Sequence, residues 1–155
     1  MSTPQLNKAA PRFELPATSD QTISLDSLKG SKVVLYFYPR DATPGCTTES
    51  QNFRDAIEEF TSAGAIVLGI SQDSVASHEK FKAKQEMPFE LLSDESGETC
   101  NAYDVIRLKK MYGKEFEGIE RSTFLIDEKG VLRDEWRKVK VPGHVDEVLA
   151  AVQAL

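Results

Sequence analysis

The sequence predicts an α/β fold in which a mixed central sheet carries helices on both of its faces. Two short apolar runs, 32–38 and 65–71, are rich in β-branched and aromatic residues, which is typical of central strands buried on both sides. The segment between these runs carries an apolar stripe with helical spacing, made of Phe53, Ala56, Ile57 and Phe60. A strand, a helix and a second strand in this order predict a right-handed crossover between parallel strands.

The remaining elements follow from the same periodicities and from capping and turn signals. Ahead of the first central strand, 13–15 and 22–25 predict a small hairpin or edge strands. The helix between the central strands starts near Thr43 and ends near Gly64, and 109–120 is predicted to be a charged, irregular stretch. The other predicted elements are, in chain order, a helix capped by Ser74 or Ser77 that runs to about Gln85, a strand over 88–92, a short helix holding Cys100 and Tyr103, strands over 122–126 and 131–136, and a terminal helix after Pro142 that runs to about Leu155.

This order of elements is the chain order of the thioredoxin fold, with a β extension in front and additional residues in the middle. The length of 155 residues argues for a single domain over 1–155 rather than two. The hydrophobic fraction of 40% is high enough for a packed core, so a disordered chain is excluded.

Composition also limits the partners. The chain has 19 basic and 25 acidic residues, and its net charge of −6 disfavours a protein that follows the phosphates of nucleic acids. The longest apolar run, 33–38, is far shorter than the roughly 18 residues of a membrane span. Residues 1–13 have no apolar core typical of a secretory signal. We therefore expect a cytoplasmic protein without nucleic-acid or membrane partners.

The cysteines and histidines narrow the chemistry. Two cysteines, Cys46 and Cys100, make no disulfide scaffold, and a reducing cytoplasm keeps them as thiols. The two histidines, His78 and His144, give no zinc-ligand spacing, so neither a metal nor another cofactor is expected. No motif of a papain-like Cys–His pair surrounds either histidine, and each is predicted to be a surface or helix-end residue. A thiol is left as the candidate reactive group.

Cys46 is the stronger of the two candidates because it follows a buried strand at the start of a helix. Thr43 is a preferred N-cap residue and Pro44 suits the first helical position, which makes Cys46 the third residue of the helix. Free backbone N–H groups and the helix dipole favour an anion there, and the thiolate is the nucleophilic form of cysteine. The alternative is a small buried side chain without a chemical role. Glu49 stands where a C-x-x-C motif would have its second cysteine, so dithiol exchange at this site is excluded.

Three of these residues also carry a resemblance. Pro39, Thr43 and Cys46 match the P-x-x-x-T-x-x-C signature of the peroxiredoxins, and the sequence resembles the bacterioferritin comigratory protein (peroxiredoxin Q) subfamily over nearly its whole length. Further matching runs are 10–11, 36–39, 43–47, 69–71, 91–94 and 121–127.

The resemblance implies a thiol peroxidase that reduces hydrogen peroxide and organic hydroperoxides. Cys46 matches the peroxidatic cysteine, whose thiolate attacks a peroxide oxygen and becomes a sulfenic acid. By the same match, the hydroxyl of Thr43, the backbone N–H of Cys46 and the guanidinium of Arg121 stabilise the transition state, and Pro39 shields the pocket. Glu49 and Gly45 are implied to support the site, and a monomer is common in the subfamily.

The sequence departs from its relatives where many carry a second, resolving cysteine. Those positions are Gln51 and Lys82 here, which leaves Cys100. We favour a one-cysteine scheme in which an external thiol, from thioredoxin, glutaredoxin or glutathione, reduces the sulfenic acid. The alternatives are a two-cysteine peroxidase with Cys100 as the resolving residue, and a peroxide sensor with little turnover. A phosphate or nucleotide site at the same helix start lacks a glycine-rich loop.

Overall fold

The computed structural model describes residues 4–155, without the side chain of Met111. Within this range, seven strands form one mixed sheet in the order β2-β1-β5-β4-β3-β8-β9, and β6 and β7 form a separate two-stranded sheet. The strands are β1 Glu14–Ala17, β2 Gln21–Ser24, β3 Lys32–Phe37, β4 Ala65–Ser71, β5 Leu91–Ser93, β6 Ile106–Met111, β7 Lys114–Ile119, β8 Ser122–Ile126 and β9 Leu132–Trp136. The helices are α1 Pro44–Asp55, α2 Ile57–Ser62, α3 Val75–Gln85, α4 Glu98–Ala102 and α5 His144–Ala154.

The centre of the sheet is the predicted strand–helix–strand unit. β3 lies parallel to β4 and antiparallel to β8, so it is hydrogen-bonded on both edges. Its residues Val33 to Phe37 are almost completely inaccessible, as expected for a strand covered on both faces. The N-terminal strands β1 and β2 form the predicted hairpin, and β1 joins it to the main sheet by pairing with β5.

The alternation of side chains along β3 separates two apolar clusters on opposite faces of the sheet. Val33, Leu35 and Phe37 belong to one cluster, which also contains Cys100 and residues of β1 and β2. Val34, Tyr36 and Tyr38 belong to the other cluster, which contains Cys46 and is covered by α1, α2, α3 and α5. The prediction of an α/β fold with helices on both faces of a mixed sheet is confirmed. No helix in the described part of the chain is long and apolar enough to cross a membrane.

The helix predicted over 43–64 is in fact two helices. The backbone of Ala56 has φ −100° and ψ 5°, and its N–H group is shared between the carbonyls of Asn52 and Phe53. This tightened turn ends α1 and starts α2. Phe53 and Phe60 still point into the same cluster and have no exposed surface, so the predicted stripe keeps its function across the break.

Two strand predictions also need correction. The strand expected over 88–92 is β5, Leu91–Ser93, because only from Leu91 onwards does the chain pair with β4. The stretch 109–120 is not irregular but contains most of the hairpin of β6 and β7. Tyr112 and Gly113 form its turn with φ angles of 53° and 77°, and two positive φ values are typical of a tight hairpin turn. The sequence analysis missed this hairpin because charged residues on both strands obscure the alternation of apolar and polar residues that predicts a strand.

Candidate active site

Cys46 lies where the sequence predicts it, in the first turn of α1 just beyond the end of β3. Thr43 is the N-cap with an extended backbone, Pro44 is the first helical residue and Cys46 is the third. The side chain of Cys46 faces the apolar cluster under α1, and only 1% of the residue is exposed. The site is therefore a sheltered thiol beside backbone N–H groups that have no partner within the helix.

Arg121 reaches this thiol from a distant part of the sequence. It immediately precedes β8, and the pairing of Ser122 with Phe37 places it beside the end of β3. Its Nη2 donates to the Cys46 Sγ over 3.3 Å. A Cβ atom on Gly45 would lie 3.1 Å from the same Nη2, so glycine leaves room for the guanidinium. Burial by itself would lower the pKa of Arg121, but Glu49 and Cys46 raise it overall.

Glu49 shares this guanidinium with Cys46. It is three residues after Cys46 and so on the same side of α1. Its Oε1 accepts a hydrogen bond from Arg121 Nη1 at 2.7 Å, whereas its Oε2 is buried without a hydrogen-bond partner within residues 4–155. Burial raises the pKa of Glu49 to about 7, although Arg121 acts in the opposite direction. The site therefore combines one permanent cation with two groups that can become anions.

Thr43 occupies the expected N-cap position but does not cap the helix through its side chain. Its hydroxyl instead donates to the carbonyl oxygen of Arg40 over 2.8 Å. The hydroxyl oxygen keeps lone pairs and can accept a hydrogen bond from a bound molecule. Pro39, directly after the buried Tyr38, is half-buried at the start of this loop.

A buried polar network, which the sequence analysis missed, connects the loop between Pro39 and Thr43 to α3. The Asp41 carboxylate accepts hydrogen bonds from the Tyr38 hydroxyl at 2.6 Å and the Ser77 hydroxyl at 2.8 Å. Its Oδ2 is also 2.7 Å from His78 Nδ1, and His78 Nε2 donates to the carbonyl of Leu92 at 2.9 Å. His78 therefore connects the Asp41 carboxylate to the backbone of β5.

The prediction that both histidines lie at the surface or at helix ends is wrong for His78. It has no exposed surface and lies inside α3, three residues before the buried Phe81. This spacing from Phe81 was the available signal. His144 is at a helix end, as the first residue of α5, but it is also buried and its Nε2 is 2.8 Å from the Thr123 hydroxyl. Burial, with a smaller effect of Arg121, lowers the pKa of His144 to about 4.

The same network fixes the backbone before Cys46. The N–H of Asp41 donates to Asp73 Oδ2 at 2.8 Å, and the Ser71 hydroxyl donates to the same oxygen at 2.6 Å. The next residue, Ala42, has a φ of 63°, a left-handed conformation that costs about 1–2 kcal/mol for a residue other than glycine. The anchored Asp41 stabilises this turn, and the turn sets the position of Thr43.

One group of side chains in the described part of the chain has the spacing of a cation site. It consists of Asp41, Asp73 and His78, whose potential ligand atoms lie within 4.8 Å of one another. The ligand atoms of all three nevertheless take part in the hydrogen bonds given above. Hydroxyl and amide protons point at the carboxylates, so the group fits a proton-linked network better than a metal site.

Cys100 lies on the opposite face of the sheet from Cys46. It is fully buried, and its backbone N–H donates to Asp94 Oδ2 at 2.7 Å. Burial, followed by the nearby Asp94 carboxylate, raises the pKa of the Cys100 thiol well above its usual value. Both cysteines are free thiols.

Gln51 and Lys82, the positions at which a resolving cysteine was sought in the sequence, both make polar contacts between elements. Gln51 in α1 donates to the Gln85 side chain in α3 over 2.7 Å. Lys82 in α3 forms an ion pair with Glu90, which also accepts from the hydroxyl of Thr18. These contacts connect α1 to α3 and α3 to the strands beyond it.

A thioredoxin-like sheet with an arginine-paired thiol at a helix start is the arrangement of a thiol peroxidase. The model of the AhpC/TSA family matches residues 6–135, and the chain belongs to this family. Peroxiredoxin Bcp of Bacillus subtilis is 50% identical over 151 residues, covering 97% of this chain and 96% of its own.

Solved structures agree with this assignment. A peroxiredoxin Q mutant of Xylella fastidiosa superimposes with a TM-score of 0.92 at 40% identity, covering 99% of this chain and 98% of that one. Bacterioferritin comigratory protein of Xanthomonas campestris, studied for alkyl peroxide reduction, gives a TM-score of 0.87 at 49% identity, covering 92% and 90%. The chain is a thiol-dependent peroxidase of the peroxiredoxin Bcp, or peroxiredoxin Q, group.

Proposed function

We propose that Cys46 is the nucleophile of this peroxidase. The observation that carries the proposal is the contact of 3.3 Å between Arg121 Nη2 and the Sγ of Cys46, a residue that is only 1% exposed. In the reaction the thiolate sulfur forms a bond to one peroxide oxygen and the O–O bond breaks. The electron pair leaves with the second oxygen, which takes up a proton and departs as water or an alcohol.

The surrounding residues suit the charge that develops in this step. The Arg121 guanidinium and the Cys46 backbone N–H are donors to the peroxide oxygens, on which negative charge grows in the transition state. The Thr43 oxygen accepts the peroxide O–H, because the Thr43 proton is directed to Arg40. Gly45 leaves space for the guanidinium and Glu49 orients it. The family signature assigns the shielding of the pocket to Pro39, which is half-buried at the start of the loop.

We propose hydrogen peroxide and organic hydroperoxides as substrates. Attack at one peroxide oxygen has the same chemistry whether the other oxygen carries a hydrogen or an alkyl group. The study of alkyl peroxide reduction in the Xanthomonas campestris relative supports organic substrates for this chain as well.

The sulfenic acid is reduced by an external thiol, from thioredoxin, glutaredoxin or glutathione, rather than by Cys100. The two sulfurs belong to clusters on opposite faces of the central sheet, whereas a disulfide requires Cα atoms within about 7 Å. The raised pKa of Cys100 also keeps it in the unreactive thiol form. Gln51 and Lys82, the other two positions considered for a resolving cysteine, have no sulfur and make polar contacts instead.

Intact-mass measurement after one equivalent of hydrogen peroxide tests this assignment. Wild type and Cys100→Ser are each expected to gain one oxygen atom, and Cys46→Ser is expected to gain none. Loss of two hydrogen atoms in the wild type, but not in Cys100→Ser, would instead establish Cys100 as the resolving residue.

Turnover separates the peroxidase from a peroxide sensor. With excess peroxide and a thioredoxin or glutathione system, wild type and Cys100→Ser should both consume many equivalents of peroxide. Cys46→Ser should remain at the uncatalysed rate. Oxidation of Cys46 that stops after one equivalent with every reductant would contradict the one-cysteine scheme.

The chain works, in this proposal, as a single-domain monomer in the cytoplasm without nucleic-acid partners. One chain supplies Thr43, Cys46, Glu49 and Arg121, so the site needs no residue from a second copy. Two free thiols suit a reducing compartment. Light scattering with size-exclusion chromatography tests the monomer, and a dimer peak at micromolar concentration would refute it.

A further inference from the structure

Three ionisable side chains share one buried position, and their charges do not balance if all are ionised. Arg121 supplies one positive charge, while Cys46 and Glu49 can each supply a negative charge. Glu49 has no exposed surface and only 16% of the Arg121 side chain is exposed, so water screens these charges weakly. When two acidic groups share one cation at a buried position, repulsion between their negative charges favours the state in which one of them stays protonated.

The hydrogen bonds differ between the two groups that can become anions. Cys46 Sγ and Glu49 Oε1 each accept a hydrogen bond from Arg121, but Glu49 Oε2 accepts none within residues 4–155. An ionised carboxylate with one bare oxygen is costly to bury, whereas the neutral acid is much less so. The pKa of Glu49, raised by burial to about 7, agrees with a proton on Glu49 near neutral pH.

Four other titratable side chains of the described residues lie near this cluster. Tyr36 of β3 and His144 of α5 are neutral near pH 7, because burial raises the pKa of Tyr36 and lowers that of His144 to about 4. Lys109 of β6 is half-buried, and its Nζ donates to the Ile119 carbonyl at 2.5 Å. Burial and Arg121 lower the pKa of Lys109, whereas Cys46 and, to a smaller extent, Glu120 raise it. Lys109 is therefore a second cation near the sulfur, and Glu120 is an anion beside it that offsets its charge.

We propose that Glu49 holds a proton while Cys46 is a thiolate and releases it when Cys46 becomes a sulfenic acid. The proposal rests on Cys46 being the peroxidatic residue. Thiolate, hydroperoxide and carboxylic acid together give sulfenic acid, alcohol and carboxylate, so the proton that leaves Glu49 balances the one taken up by the departing oxygen. The buried cluster has a net charge of zero before and after the step, because the lost thiolate charge is replaced by the carboxylate charge on the same arginine.

Reduction reverses the proton movement. An external thiol condenses with the sulfenic acid to give a mixed disulfide and water. A second thiol then releases the Cys46 thiolate, forms the reductant disulfide and gives up one proton. As the thiolate returns to Arg121, this proton is taken up by Glu49. Glu49 is thus a proton-holding residue of the cycle, in addition to orienting Arg121.

Proton uptake during a single oxidation tests the proposal. In weakly buffered solution near pH 6 with an indicator dye, one equivalent of hydrogen peroxide should draw almost no protons from water in the wild type. Glu49→Gln keeps the size and the acceptor for Arg121 but carries no titratable proton, so it should draw about one proton per oxidised Cys46. Thiolate absorbance before mixing measures the fraction of Cys46 that starts as the anion in each protein, and the proton uptake is divided by that fraction.

Matched controls separate this result from other causes. Glu120 directly precedes Arg121 in the sequence, and its Oε2 lies 3.8 Å from Arg107 Nε. The variant Glu120→Gln removes this nearby carboxylate and should take up as few protons as the wild type does. Cys46→Ser should show no proton change. Equal uptake in wild type and Glu49→Gln, with mass spectra showing complete sulfenic acid formation in both, would overturn the proposal while leaving the role of Cys46 intact.

Infrared difference spectra provide a test that does not depend on the variant folding. Reduced wild type near pH 6 should show the carbonyl band of a buried, protonated carboxyl group, and oxidation should remove it. A folded Glu49→Gln protein should lack that band in both states. A wild-type spectrum in which no such band disappears on oxidation would refute the proton on Glu49.

Discussion

Cys46 and Cys100 occupy equivalent places in their helices, yet their surroundings are opposite in charge. Each is the third residue of a helix and each is buried. Cys46 Sγ faces the guanidinium of Arg121 at 3.3 Å. At Cys100 the carboxylate of Asp94 takes the backbone N–H, and burial together with this carboxylate raises the pKa of the thiol.

The difference teaches that a helix start by itself does not make a reactive cysteine. At Cys100 the first-turn N–H groups of Thr99 and Cys100 are already used by the Asp94 carboxylate. At Cys46 the comparable position is combined with a cation and a pre-formed loop. The four predictions that follow each change one part of this contrast, and they run from the largest expected effect to the smallest.

The loop that precedes Cys46 depends on the buried network behind it. His78→Leu removes the donor to Asp41 and leaves the Leu92 carbonyl unpaired, so it should lower the free energy of unfolding by about 3–5 kcal/mol. Urea unfolding measures this loss. Ser77→Ala removes one hydroxyl from the same carboxylate and should cost only about 1 kcal/mol. Equal urea midpoints for His78→Leu and wild type would show that the network does not stabilise the fold.

The contact between Arg121 and the sulfur is the most direct difference between the two thiols. Arg121→Met should lower the rate constant for Cys46 oxidation by hydrogen peroxide by about 10²–10³-fold, because a donor to the developing charge is lost. Stopped-flow measurement of the first turnover provides the rate. Arg121→Lys keeps the charge without the two-pronged contact to Cys46 and Glu49, so its rate should lie between the two. A rate in Arg121→Met within a factor of three of wild type would contradict the central role of this pair.

The buried His144, which packs against Phe53 on the Cys46 side of the sheet, makes the stability of the fold depend on pH below neutrality. Its folded pKa of about 4 lies below its usual value of 6.5, so the unfolded chain binds the proton more readily. The stability contributed by neutral His144 is complete above pH 6.5 and is lost as the pH falls towards 4, by about 2–3 kcal/mol in total.

Urea unfolding between pH 4 and pH 7 checks this slope, with His144→Gln as the control. Glu49 contributes in the opposite direction, because its raised pKa of about 7 stabilises the folded state at low pH and loses that effect as the pH rises. The His144 contribution is therefore the difference between wild type and His144→Gln. Parallel pH profiles for the two proteins would refute it.

The smallest effect is expected from Asp94→Asn. This change removes the charge next to Cys100 but leaves the residue buried, and burial is the larger cause of its raised pKa. Cys100 should therefore remain unmodified by iodoacetamide in the folded protein, as measured by peptide mass spectrometry, while Cys46 reacts. Alkylation of Cys100 at a rate close to that of Cys46 would show that charge, rather than burial, protects it.

Most of the secondary structure could be predicted because local patterns dominate it. The buried runs of β3 and β4 were predicted from the sequence. The sequence offered Ser74 or Ser77 as the cap of α3, and in the structure Ser74 is the cap and accepts from the Ser77 N–H. The hairpin of β6 and β7 was missed because its strands carry charge on both sides and pack little against the main sheet. Buried His78 was missed because its partners, Asp41 and the Leu92 carbonyl, come from other segments.

The sequence by itself determined that a thiol stands at the third position of a helix after a buried strand, because capping and helical spacing act over only a few residues. These local patterns did not determine what faces that thiol, and Arg121 was expected there only through the family resemblance. Arg121 is 75 residues away and arrives through the pairing of β3 with β8, whereas Cys100 receives a carboxylate through the turn after β5. Electrostatic surroundings are set by whichever side chains the packed sheet brings within a few ångströms, and only the tertiary structure decides that.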